Sequence, residues 1–138
     1  WGVAETTALP AAAYTPSFSD SVFRTIATRA EAILRTGHSV IADAVYGQLG
    51  EREVLQSVAA RTQTAFTGLW LEAPVETLEK RIENRKGDAS DATVAVLHRQ
   101  LETIVAPQTW AIIAADTDAE EMAAQALRVL SRKCQVNA

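Results

Sequence analysis

The sequence predicts an α/β domain, a three-layer sandwich with helices on both faces of a parallel sheet, and three observations carry that reading. Short, nearly continuous apolar and β-branched runs at residues 39–46, 65–71 and 110–115 have the character of strands covered on both faces. Segments of helical periodicity lie between them, and such connections force parallel pairing through crossovers. The length of 138 residues fits one domain with its own core.

Residues 1–17 hold Pro10, Pro16 and the small run Ala11, Ala12, Ala13, which read as an extended connection. From Ser19 or Asp20, either able to cap an N-terminus, Val22, Phe23, Ile26, Ala30, Ile33 and Leu34 recur at helical spacing until Gly37. The first strand run follows, interrupted by Asp43 near its carboxyl end, and then a helix over about residues 51–60. After the second strand run Pro74 opens a helix over about 75–85, with Leu78 and Ile82 on one face and Gly87 as its stop. Ser90 or Asp91 would cap a helix carrying Val94, Leu97 and Leu101 up to Pro107. The third strand run leads to Asp118, which starts a final helix through Met122, Ala126, Leu127 and Leu130, with a frayed tail after Lys133. Three strands make a thin sheet, and the chain starts on a helix whose partner strand is expected upstream.

Composition excludes several classes. No apolar run approaches the roughly 18 residues needed to cross a bilayer. A formal charge of −4 argues against a protein whose main partner is nucleic-acid backbone. Cys134 is the sole cysteine, so no internal disulfide forms and a cytoplasmic setting is expected. The chain opens at Trp1 without signal-peptide features, as a piece of something longer would.

Ligands of open parallel sheets bind at the carboxyl ends of the strands, which draws attention to Asp43 and Asp116. A carboxylate there holds a magnesium-bound water, or else accepts backbone amides from its own turn; the pattern leaves both open. Arg81 and Arg85 are four apart on a helix, where two guanidinium forks converge on one face, with Lys86 and Arg99 flanking. Such forks offset phosphoryl charge, but a solvated face paired with Glu76, Glu79 and Glu83 has the same pattern. His38 and His98 have no zinc spacing, and no serine sits in a Gly-x-Ser-x-Gly elbow. Trp70 and Trp110 lie in strand runs and read as core. No glycine opens a Gly-x-x-x-x-Gly-Lys-Ser/Thr phosphate cradle, and no Gly-x-Gly-x-x-Gly is present.

Taken together, Gly37-His38-Ser39-Val40-Ile41-Ala42-Asp43-Ala44, then Phe66-Thr67-Gly68-Leu69-Trp70-Leu71-Glu72-Ala73-Pro74, then Arg81-Ile82-Glu83-Asn84-Arg85-Lys86-Gly87-Asp88-Ala89-Ser90-Asp91-Ala92 form one pattern. It resembles the P-loop kinase-like AAA-type ATPase domains of bacteria. These are relatives of polynucleotide kinase, gluconate kinase, zeta toxin and chloramphenicol phosphotransferase, found also fused behind aminoglycoside phosphotransferase-like domains. The resemblance covers nearly the whole chain and is most specific at residues 81–92. It implies a P-loop NTPase-like fold, with residues 1–138 as the C-terminal portion of a single domain and 81–92 as its lid region. It implies lid arginines at Arg81 and Arg85, a magnesium-side carboxylate at Asp43, acting through water, and a place near the adenine for Asp116.

The resemblance further implies ATP and magnesium as cofactors, a small-molecule phosphoryl acceptor as substrate and a fused kinase-like domain upstream as a partner. By the same alignment the first strand, the phosphate loop and the strand bearing the acceptor-side base are missing, along with the backbone amides and lysine that supply most phosphate affinity. The expected function is therefore ATP-dependent phosphoryl transfer by the parent domain, with weak nucleotide binding and no activity in the isolated chain. The alternative is a non-catalytic α/β module that binds a partner or regulates a fused kinase.

Overall fold

The computed structural model describes residues 15–85 and 93–136. Most of the expected extended connection, the greater part of the expected lid and the turn residues Gly87, Ser90 and Asp91 lie outside them. The elements are α1 (Pro16–Arg35), α2 (Leu49–Arg61), β1 (Leu69–Glu72), α3 (Val75–Asn84), α4 (Val94–Leu101), β2 (Ala111–Ala114) and α5 (Ala119–Val136). The described residues fall into two compact units, one running up to Phe66 and resuming over Arg85–Val105, the other comprising Thr67–Asn84 and the chain from Ala106.

In the first unit, α1 begins at Pro16, earlier than the Ser19 or Asp20 expected from capping preference. Proline suits the first helical position because its φ is already fixed and its absent N–H would find no partner there. The Thr15 carbonyl accepts from Phe18 and Ser19 at 3.1 and 3.0 Å to close the first turn. Gly37, at φ 83°, ends the helix in the left-handed region, and its N–H donates back to the Leu34 carbonyl at 2.9 Å. Helix α2 starts with a reach-back: the main-chain N–H of Gln48 donates to Glu51 Oε2 at 3.0 Å, satisfying a donor at the helix entrance.

Helices α1 and α2 pack together. The buried positions are Ala27 and Ala30 on α1 and Val58 and Ala59 on α2, with Val58 only 1% exposed. Small side chains on both helices let the backbones approach closely. At the rim Glu31 accepts from Arg35 of its own helix at 2.7 Å and from Arg61 of α2 at 2.8 Å. Both arginines hold the Glu31 carboxyl below its usual range, Arg61 more than Arg35. Helix α4 is capped by Thr93, whose hydroxyl accepts from the Val96 N–H at 3.3 Å.

The second unit is built on a parallel β1–β2 pair in the register Leu69↔Ala111, Trp70↔Ile112, Leu71↔Ile113 and Glu72↔Ala114. The ladder continues past the strand ends, with Ala111 N–H donating to Gly68 at 2.9 Å and Ala115 N–H to Glu72 at 2.7 Å. Helix α5 packs on β2, above the buried Ile113 and Ala115. Its Gln125 Oε1 accepts the Ala114 N–H at 3.1 Å, giving a strand donor a partner outside the ladder. Asp118 caps α5 as expected, taking the Glu121 N–H on Oδ1 at 2.8 Å, and the helix runs on past Lys133 to Val136.

The expected α/β class holds, as helices with a parallel sheet, but among the described residues the sheet has two strands where three are predicted. Residues 39–46 enter no ladder among the described residues. A strand exists only through the neighbour that satisfies its amides and carbonyls. Here Ile41 is 96% exposed, and Tyr46, at φ 46°, turns the chain out of extended geometry.

A side chain at Gly68 would run into the Trp110 indole of the same unit, whereas Gly50 faces open space. Gly68→Ala is expected to cost about 1–3 kcal/mol in urea unfolding through forced repacking. Gly50→Ala is expected to be neutral or to gain up to about 1 kcal/mol.

Candidate functional site

The run from Val40 to Ala42 delivers Asp43 as an exposed carboxylate just before a buried turn. That turn is the most tightly specified part of the first unit. Tyr46 is 3% exposed, and its ring lies 5.3 Å from that of Phe23 on α1. Gly47 is buried against Ile104, and a Cβ there would meet Ile104 Cγ1 at 2.8 Å, so only glycine fits without displacement. Arg52 on the first turns of α2 is 4% exposed, and its Nη1 donates to the carbonyls of Tyr46 at 2.7 Å and Gly47 at 3.4 Å.

Electrostatics at this turn involves the two carboxylates nearest in sequence. The Tyr46 hydroxyl is pushed above its ordinary range first by burial, which disfavours the phenolate, and then by the negative charges of Asp43 and Glu51. The Asp43 carboxylate thus bears on a buried group while remaining accessible to solvent.

The other predicted residues are distributed between the units. Arg81 lies in the last turn of α3 in the second unit, exposed. Arg85 is the first residue after α3 and groups with the first unit, also exposed. The helix expected to carry both arginines therefore ends at Asn84, one residue before the second. Asp116 is exposed immediately beyond β2, in a turn where Thr117 Oγ1 donates to the Ala114 carbonyl at 3.2 Å. This is the carboxyl end of a parallel strand, as the sequence predicts. His38 Nδ1 lies 3.0 Å from Thr36 Oγ1 at the end of α1.

Among the described residues no three His, Cys, Asp or Glu side chains gather to hold a metal ion. Magnesium bound to nucleotide phosphates keeps most of its waters and needs one or two carboxylates, so the chemistry of an exposed Asp43 fits such an ion. No helix among the described residues is long and apolar enough to cross a membrane.

Tyr46, Gly47 and Arg52 were not among the residues singled out from the sequence. The one available signal was Glu51, three residues after Gln48, which marks a helix start and so implies a turn just before it.

A parallel strand pair with Asp116 just beyond a carboxyl end is an arrangement met in nucleotide-binding α/β domains, and comparison gives the family. The chain belongs to the AAA domain family, P-loop kinase-like nucleotide-binding domains whose members bind ATP and magnesium, with residues 4–107 matching the family model. Asp43, Arg81 and Arg85 fall inside that match, and Asp116 falls beyond it. The chain is also similar to "Uncharacterized protein Rv2004c" and "Uncharacterized protein MT2060" of Mycobacterium tuberculosis and to "Uncharacterized protein Mb2027c" of Mycobacterium bovis. Identity to each is 33% over 76 residues, covering 55% of this chain and 15% of the relative's length. The chain thus corresponds to a small part of those proteins. No solved structure matches it.

The raised Tyr46 value sets an alkaline limit. The folded state holds the phenol proton more tightly than the unfolded state, so this contribution to stability is complete below about pH 10 and is lost as pH rises through the higher folded value. Tyrosinate absorbance is expected to show a late-titrating group that Tyr46→Phe removes, together with part of the alkaline fall in unfolding free energy.

Proposed function

We propose that the domain containing this chain carries out ATP-dependent phosphoryl transfer to a small-molecule acceptor. The observation that carries the reading is the family match spanning Asp43, Arg81 and Arg85, with Asp43 exposed directly before a rigidly held turn. Magnesium bound to ATP supplies charge neutralisation at the β- and γ-phosphates. Asp43 would hold that ion through one of its waters and so fix its position relative to the protein. Arg81 and Arg85 donate to the oxygens of the moving phosphoryl group, where charge spreads in the transition state. The family resemblance implies a place near the base of the nucleotide for Asp116. In the reaction the acceptor oxygen forms a bond to the γ-phosphorus, the bond to the β–γ bridging oxygen breaks to release ADP, and the acceptor proton passes to a general base or to solvent.

The sequence contains no Gly-x-x-x-x-Gly-Lys-Ser/Thr cradle, so this chain by itself is expected to bind nucleotide weakly and to be inactive, within a protein expected to be cytoplasmic. A second reading, a non-catalytic module that binds a partner or regulates a fused kinase, draws on the exposed Ile41, Val45 and Leu49 as contact surface.

The test uses the full-length protein and an assay of ATP consumption across candidate acceptors. Arg85→Ala is expected to lower kcat by roughly 100-fold or more, as loss of a charge-stabilising donor does. Asp43→Asn is expected to raise the magnesium requirement. Unchanged turnover in Arg85→Ala removes the lid assignment, and absence of any ATP-dependent activity in the wild type favours the non-catalytic module.

A further inference from the structure

Arg52 is a charged side chain that the proposed reaction does not use, yet it is among the most buried residues of the first unit, at 4% exposure. Burying a guanidinium costs several kcal/mol unless excellent partners compensate, and an apolar side chain of similar volume is often the more stable choice. Among the described residues Arg52 forms no ion pair. Its hydrogen bonds go from Nη1 to two consecutive main-chain carbonyls, Tyr46 at 2.7 Å and Gly47 at 3.4 Å.

Those carbonyls belong to a turn that needs holding. Tyr46 has φ 46°, a left-handed conformation that a bulky residue rarely adopts and that persists only where the surroundings over-determine it. Phe23 braces the Tyr46 ring, Ile104 fills the space over Gly47, and Arg52 ties the backbone from within. Three residues before this anchored point stands Asp43, exposed, at the end of an apolar run that pairs with no strand among the described residues. Among the described residues no ladder supports the chain entering Asp43, and the anchored structure next to it is the turn that follows.

We propose that Arg52 is a positioning residue: by clamping the Tyr46 and Gly47 carbonyls it sets where the Asp43 carboxylate stands relative to the nucleotide-bound cation. The inference rests on the reading of Asp43 as the magnesium-side carboxylate. A charged donor is retained because a charge-assisted hydrogen bond is shorter and stronger than a neutral one and fixes direction as well as proximity. Groups that orient a metal-side ligand typically contribute 10–100-fold to metal affinity when removed.

The experiment compares wild type, Arg52→Met and Arg52→Lys in the full-length protein with two measurements. Hydrogen exchange over a peptide spanning residues 43–50 reads the turn, and the magnesium concentration giving half-maximal ATP turnover reads the placement of Asp43. Arg52→Met is expected to speed exchange in that peptide about ten-fold, with the β1–β2 ladder unaltered. It is expected to raise half-saturating magnesium about ten-fold while leaving the KM for acceptor in place. Arg52→Lys keeps the charge and the aliphatic stem, and falls between the two; it serves alone if Arg52→Met does not fold.

Unaltered exchange overturns the clamp. Faster exchange with an unaltered magnesium requirement overturns the positioning role and leaves Arg52 as a structural tie only. A wild type without magnesium-dependent ATP turnover removes the proposed function and the positioning role with it. In that case the exchange measurement still reports separately whether Arg52 holds the turn.

Discussion

The buried guanidinium of Arg52 on the carbonyls of Tyr46 and Gly47 is the constraint around which the first unit is organised. It joins the first turns of α2 to the chain leaving Asp43, and it stabilises a left-handed tyrosine that would otherwise relax. Phe23 brings α1 into the same cluster and Ile104 closes it from the chain after α4. Removing Arg52 would leave buried carbonyls without their charged donor, so the loss propagates beyond a single contact. By comparison, the Glu31 bridge to Arg35 and Arg61 lies at the surface, where an ion pair adds little in water and its contribution fades as Glu31 protonates below its depressed value.

The second unit relies on different physics. Its two strands are held by a parallel ladder and by α5 above Ile113 and Ala115, with Gln125 giving the Ala114 N–H a partner outside the ladder. Specificity of register comes from close contact, since Gly68 leaves room for the Trp110 ring beside the ladder's first hydrogen bond. The ladder places Asp116 at a carboxyl strand end, and α3 places Arg81 in its last turn. Each candidate residue of this unit thus sits at the end of a regular element, where backbone polarity and side-chain chemistry reinforce each other.

Much of this was legible in the residues. The periodicity of Leu78 and Ile82 located α3, Asp118 marked the start of α5, and the runs around Trp70 and Trp110 gave β1 and β2 to within a few residues. Those features depend on local pattern, and local pattern is what a sequence displays. The run from Ser39 to Tyr46 misled because its apolar character reports burial between neighbours, whereas a strand also needs those neighbours to be present. Arg52 was invisible for the opposite reason: a charged residue next to Glu51 in the first turn of a helix reads as surface, and only the fold turns it inward. The left-handed Tyr46 likewise has no local signature, because its conformation is imposed by contacts distant in sequence. Of the candidate site, residue types and order were readable, while the support beneath Asp43 was not.

The proposed role of Asp43 places it beside a nucleotide-bound divalent cation, held there by the turn behind it. The most direct measurement is a crystal structure of the full-length protein with manganese and a non-hydrolysable ATP analogue, with the metal located by anomalous scattering. An anomalous peak within one bridging water of the Asp43 carboxylate is expected. A bound metal–nucleotide whose peak lies away from Asp43, with that carboxylate turned onto its own backbone, would contradict it.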